Sequence, residues 1–129
     1  MQALKKNNLE DNFILINEEE KIHYLMNALD LHILSSKSEA FPLVVIESMA
    51  CGTPCISTNV GDIKKIITDK NLVAEINNHY SLYNAIVKFQ KLKKNKKEDI
   101  SQRGIEYIRL NYSLKKMAER YKKVYTKLI

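Results

Sequence analysis

Residues 30–59, DLHILSSKSEAFPLVVIESMACGTPCISTN, change their apolar period twice. DLHILSS (30–36) is a short apolar run ending in small polar residues, as a buried strand does before a loop. PLVVIESMA (42–50) reads as a helix, with Pro42 suited to its first turn and Gly52 just past its end. PCISTN (54–59) reads as a strand again. Strand, helix and strand in so short a span require a parallel crossover, and hence an α/β sheet.

The flanking segments extend the alternation. NFILIN (12–17) has the composition of a buried strand. In residues 18–29, Ile22, Leu25, Met26 and Leu29 recur at helical spacing. GDIKKIIT (61–68) predicts a short helix and NLVAEI (71–76) an edge strand. From Ser81 onward the pattern is helical, over 81–92, 98–112 and 113–129. Leu82, Ile86, Phe89 and Leu92 form one apolar stripe; Met117, Tyr121, Val124, Tyr125 and Leu128 form another. Both are expected in the core. The fold class is therefore α/β: a partial Rossmann-like domain of three to four mostly parallel strands flanked by helices, with a helical C-terminus. With 129 residues, no repeats and no long linker, residues 1–129 are expected to form one domain.

Composition excludes several classes. At 45% apolar and 28% charged residues the chain is ordinary for a globular protein. It has neither a run of about 20 apolar residues nor the apolar core of a signal peptide, so it reads as cytoplasmic. Cys51 and Cys55 fit no common zinc spacing and are expected to be small buried apolar residues. The formal charge of +6 is concentrated in KFQKLKKNKK (88–97) and the C-terminal helix. A solvated helix face accounts for such a run. Arginine is scarce and no RNA-binding aromatic motif accompanies the lysines, which argues against nucleic acid as a partner. Attraction to anionic lipid, giving peripheral contact at the inner face of the plasma membrane, stays open.

Glu39 and Glu47 stand out in the apolar run, because an ionised carboxylate is costly to bury without a partner. The loop 35–41 lies at the carboxyl end of a strand, where open parallel sheets bind ligands. With Pro42 as first helical residue, Phe41 is the cap and offers no capping oxygen, so the N–H groups of Leu43 and Val44 lack intrahelical partners. A helix start of this kind suits phosphate. Capping by Ser38 or Glu39, with nothing bound, is the plainer alternative. Glu47, in the second turn, could accept two hydrogen bonds from vicinal ribose hydroxyls. Paired carboxylates could instead hold a metal or act as acid and base, but His23, His32 and His79 form no ligand cluster with them.

Taken together, SEAFPLVVIESMACGTPCISTNVGDIKKII resembles the donor-site segment of retaining group 1 (family-four) glycosyltransferases with the GT-B fold. The resemblance is carried by Ser36, Glu39, Phe41, Pro42, Glu47, Met49, Ala50, Gly52, Thr53, Pro54 and Gly61. It implies a hexosyl-type transfer from a UDP- or GDP-sugar to an acceptor hydroxyl, with retention, in bacterial glycan or lipopolysaccharide biosynthesis. The nucleotide-sugar is a substrate; no cofactor and no metal are implied. Carried over by position, Glu47 binds the ribose and Glu39 contacts hydroxyls of the reacting sugar. The backbone of Phe41, Pro42, Leu43 and Val44 meets sugar and phosphate oxygens, and Ser36 belongs to the same loop.

Asn17 stands where a glycine usually ends the strand leading to the base pocket, and is expected to adopt the same left-handed conformation. Ala40 replaces a frequent glycine, and Asp62 and Lys65 replace a usual glycine and glutamate. The resemblance also implies a C-terminal donor domain truncated before its first strands. The acceptor domain and a basic Arg/Lys pair would lie outside this sequence, so the chain alone is expected to be inactive. In the parent strand order the absent strands leave a gap of roughly 14 Å between NFILIN and DLHILSS. NFILIN is therefore expected to dock beside DLHILSS, or copies of the chain to associate through the exposed edge. A non-catalytic nucleotide- or phosphate-binding module and a basic surface-binding protein are the competing functions.

Overall fold

The computed structural model describes residues 2–18 and 20–128. After a short helix α1 (Gln2–Lys6) and a 3-10 turn at Glu10–Asn12, the chain runs through α2 (Ile22–Ala28), β1 (His32–Leu34), α3 (Leu43–Ala50), β2 (Cys55–Thr58) and α4 (Ile63–Ile66). It continues through β3 (Val73–Ala74) to α5 (His79–Gln90), α6 (Lys94–Tyr112) and α7 (Leu114–Leu128). The three strands form one parallel sheet in the order β1-β2-β3. Ile33 pairs with Ile56 and Ser57 with Val73 in register.

β2 is the centre of the molecule because both its edges and both its faces are covered. All four of its residues are buried, as expected for a strand inside a parallel sheet. Ile56 lies among Val45 and Ile46 of α3, Ile63 and Ile66 of α4, Ala85 and Phe89 of α5, and Ile108 of α6 in one apolar cluster. Each side chain of this size stabilises the fold by about 1.5–3 kcal/mol on burial.

α3 stops where its sequence says it should. Gly52 takes φ +85°, and the N–H groups of Gly52 and Thr53 donate to the carbonyls of Met49 and Ser48 at 3.0 and 3.1 Å. These are the paired bonds of a glycine-terminated helix end. The Thr53 hydroxyl then donates to the Met26 carbonyl at 2.5 Å, tying this end to α2. The first turn of α5 is capped by Asn78, whose side chain accepts from the Ser81 N–H.

Two expectations fail, at opposite ends of the chain. NFILIN forms no strand and does not dock beside β1, which pairs only with β2 among the described residues. Phe13–Ile16 run outside regular structure, with Ile14 85% and Leu15 68% exposed. A strand needs a neighbour for its backbone groups as well as apolar side chains, and no strand lies beside this run. The second failure is α7. Met117, Tyr121, Val124, Tyr125 and Leu128 are all more than half exposed, so this stripe is not core. The other stripe turns inward in part: Phe89 is buried and Leu82 and Ile86 are half-buried, but Leu92, beyond the end of α5, is exposed. Cys55 is buried as expected, while Cys51 is half-buried, and both are free thiols.

Candidate functional site

The loop 35–41 leaves the carboxyl end of β1, and three contacts fix its path. The Thr58 hydroxyl, at the end of β2, donates to the Ser36 carbonyl at 2.6 Å. The Ser36 hydroxyl donates to Glu39 Oε1 at 2.8 Å. Gly61, with φ +48°, lies so close to the Glu39 and Ala40 carbonyls that a Cβ there would overlap both oxygens. The glycine after β2 is thus required by close approach as well as by its backbone conformation.

This loop delivers the chain into α3 without a side-chain cap. Pro42 is the cap residue and the helix begins at Leu43, one position later than the sequence predicts. The expectation of two free N–H groups holds only in part, because the Leu43 N–H turns back to the Phe41 carbonyl at 2.9 Å. Of that pair, the Val44 N–H makes no backbone hydrogen bond among the described residues. Neither Ser38 nor Glu39 caps α3.

The two glutamates escape the burial penalty in different ways. Glu39 is half-buried and held by Ser36, leaving its other lone pairs available. Glu47 is exposed, one helical turn after Leu43 on the same face, and takes part in no ion pair or side-chain hydrogen bond among the described residues. Asn17 lies in the exposed run and is not left-handed; among the described residues the non-glycine positions with positive φ are Asn8 and Asn77. The structure therefore brings together Ser36, Glu39, Phe41, Pro42, Leu43 and Val44, sets Glu47 one turn along α3, and does not hold Asn17 in the expected conformation.

Sequence reasoning did not anticipate the cleft beside the start of α3. It has a volume of about 410 Å³ and is bounded by Phe41, Leu43 and Ile46 on one side and by Tyr112, Arg120 and Tyr121 on the other. The Phe41 and Tyr112 rings meet at 6.0 Å. Tyr107 and Tyr112 both donate to the Lys65 carbonyl, at 2.6 and 3.1 Å, and burial pushes the Tyr112 hydroxyl above the usual tyrosine range. The signal was the tyrosine spacing in EYIRLNY, legible as a helix face but not as a wall for Phe41.

His32 and Cys55 form the other chemically notable pair, with Sγ and Nδ1 3.7 Å apart. Burial lowers the His32 pKa and raises that of Cys55 to about 11. The thiol therefore stays protonated near neutral pH and is no nucleophile. Among the described residues no three His, Cys, Asp or Glu side chains are grouped to hold a metal ion.

An open parallel sheet with an uncapped helix start at its carboxyl edge is the place where α/β folds of this class bind ligands. The chain belongs to the group 1 glycosyltransferases, whose family model matches residues 2–107. It is 28% identical over 130 residues to an N-acetyl-alpha-D-glucosaminyl L-malate synthase of Bacillus anthracis, covering 97% of this chain and 33% of that protein. An O-antigen biosynthesis glycosyltransferase of Escherichia coli is 28% identical over 128 residues, 99% of this chain and 35% of its own length. A glycosyltransferase structure from Rickettsia africae superposes with a TM-score of 0.89 at 24% identity, over 98% of this chain and 34% of that one. The fold is consistent with GT-B. The chain spans about a third of the length of the curated relatives it matches.

Proposed function

We propose that this chain is the donor-binding part of a retaining transferase that moves a hexosyl group from a nucleotide-sugar to an acceptor hydroxyl. The observation that carries the reading is the start of α3, uncapped, with Glu39 presented by Ser36 on one side and the unpaired Glu47 one turn beyond on the other. In this reading Glu47 accepts the two ribose hydroxyls and Glu39 hydroxyls of the reacting sugar. The Val44 N–H and the positive end of α3 face the phosphates.

In the reaction the bond between the anomeric carbon and phosphate oxygen breaks. A bond to the acceptor oxygen forms on the same face, the acceptor proton is lost, and the nucleoside diphosphate departs. Charge developing on that leaving group needs cations, and the basic pair implied by the family resemblance has no assigned counterpart here. In this reading the whole enzyme draws those cations, and separately an acceptor-binding domain, from a longer polypeptide, and the isolated chain binds without turning over. Work on cell-surface glycans at the cytoplasmic face of the membrane follows from the same reading, with the basic helices available for peripheral contact with anionic lipid. Where the rest of a longer polypeptide is absent, copies of the chain associate through the open edge of β1.

Titration with UDP, GDP and ADP, followed by amide chemical shifts, tests the site. Binding of at least one nucleotide at millimolar concentration is expected, weakened about tenfold or more by Glu47→Ala, the loss of a bidentate charged acceptor. No shift with any nucleotide would sink the reading.

A further inference from the structure

The cleft between α3 and α7 has a chemistry of its own. Its floor is aromatic, from Phe41 and Tyr112, with Tyr121 beyond them. Tyr112 is held in place by its hydroxyl bond to the Lys65 carbonyl. Two of the charged groups at its rim cancel, because Lys65 Nζ and Asp62 Oδ1 are 2.8 Å apart. The third, Arg120, enters no ion pair among the described residues. Asn111 spends one amide N–H on the Tyr107 carbonyl, at 2.9 Å, which leaves its side-chain oxygen open to a ligand hydroxyl.

We infer that this cleft binds a phosphorylated sugar, with Arg120 holding the phosphate and the Phe41 and Tyr112 rings carrying the apolar face of the sugar ring. Guanidinium presents a planar fork that matches phosphate oxygens two at a time. Phosphate without a ring would leave the aromatic floor uncovered, and a ring without an anion would leave Arg120 unmatched. At about 410 Å³ the space falls within the range of small-molecule sites. The Lys65–Asp62 pair matters because an unpaired Asp62 carboxylate at the rim would repel the same phosphate. The inference goes beyond the donor-site reading and shares with it only Phe41 and Leu43, so each can fail alone.

Calorimetric titration of the full chain with glucose 1-phosphate and with UDP separates them. Glucose 1-phosphate is expected to bind with salt-sensitive affinity. Arg120→Gln should weaken it about tenfold, Arg120→Lys should restore part of the loss, and Glu47→Ala should leave it unchanged. Arg120 is exposed, so the variants are expected to keep the wild-type circular dichroism. Simultaneous binding of UDP is expected and assigns the ligand to a phosphorylated acceptor; displacement of glucose 1-phosphate by UDP would place both in the donor site and overturn the inference. Unaltered affinity in Arg120→Gln, or no binding of glucose 1-phosphate at low salt, overturns the inference. UDP binding that depends on Glu47 would then still stand. The reverse pattern, Arg120-dependent sugar phosphate binding without UDP binding, would leave the cleft and remove the donor site.

Discussion

β2 (Cys-Ile-Ser-Thr) and the run Phe13–Ile16 are equal in length, yet the more apolar of the two is the one left exposed. Ile56 on β2 is fully buried, while Ile14 is 85% exposed. The difference is not in the side chains. β2 has a parallel neighbour on each edge and helices over both faces, whereas the exposed run has neither. Burial is a property of a residue and its surroundings together, and an apolar run states only one half of that condition. α7 repeats the lesson at the other end of the chain, where an apolar stripe stays more than half exposed along its length.

The sharpest way to break the comparison is to truncate one isoleucine in each region. Ile56→Ala should destabilise the chain by about 2–5 kcal/mol, the cost of a cavity in a packed core. Ile14→Ala should stay within about 0.5 kcal/mol, as surface changes do. Urea unfolding of both variants measures the contrast, and comparable losses would mean that the N-terminal run is packed in solution.

Gly61 sharpens the comparison within the ordered region, because it links core to site. Gly61→Ala puts a methyl group against the Glu39 and Ala40 carbonyls and on a left-handed backbone. A stability loss of about 1–3 kcal/mol is expected, with weakened nucleotide binding because the loop holding Glu39 must move. Unchanged binding in a folded Gly61→Ala protein would show that the position of that loop does not matter for the ligand.

The smallest effect concerns His32 at the edge of the sheet. Burial depresses its folded-state pKa below the unfolded value of 6.5, so the unfolded chain binds more protons in that range. Its contribution to stability is complete above about pH 6.5 and is lost as pH falls through the folded pKa. Denaturant midpoints for His32→Asn should show a weaker decline between pH 7 and pH 5 than the wild type. Parallel curves would mean that the imidazole is solvated in the native state.

The sequence by itself determined the strand–helix–strand unit of residues 30–59, its glycine stop at Gly52, and the placement of Glu39 and Phe41 in the loop before α3. Those are local outcomes: hydrophobic period, helix-end chemistry and loop position are written within a few residues of where they act. Tertiary structure decided the rest. Gly61 reaches across to the Glu39–Ala40 peptide, Thr58 pins Ser36, Tyr112 walls a cleft against Phe41, and Arg120 is left unpaired beside it. Each of these joins residues from separate elements, and only the packed sheet and helices set their distances. The same reason explains the failures at 12–17 and in α7. Apolar pattern there was clear, but a pattern cannot supply the surface it needs to be buried against.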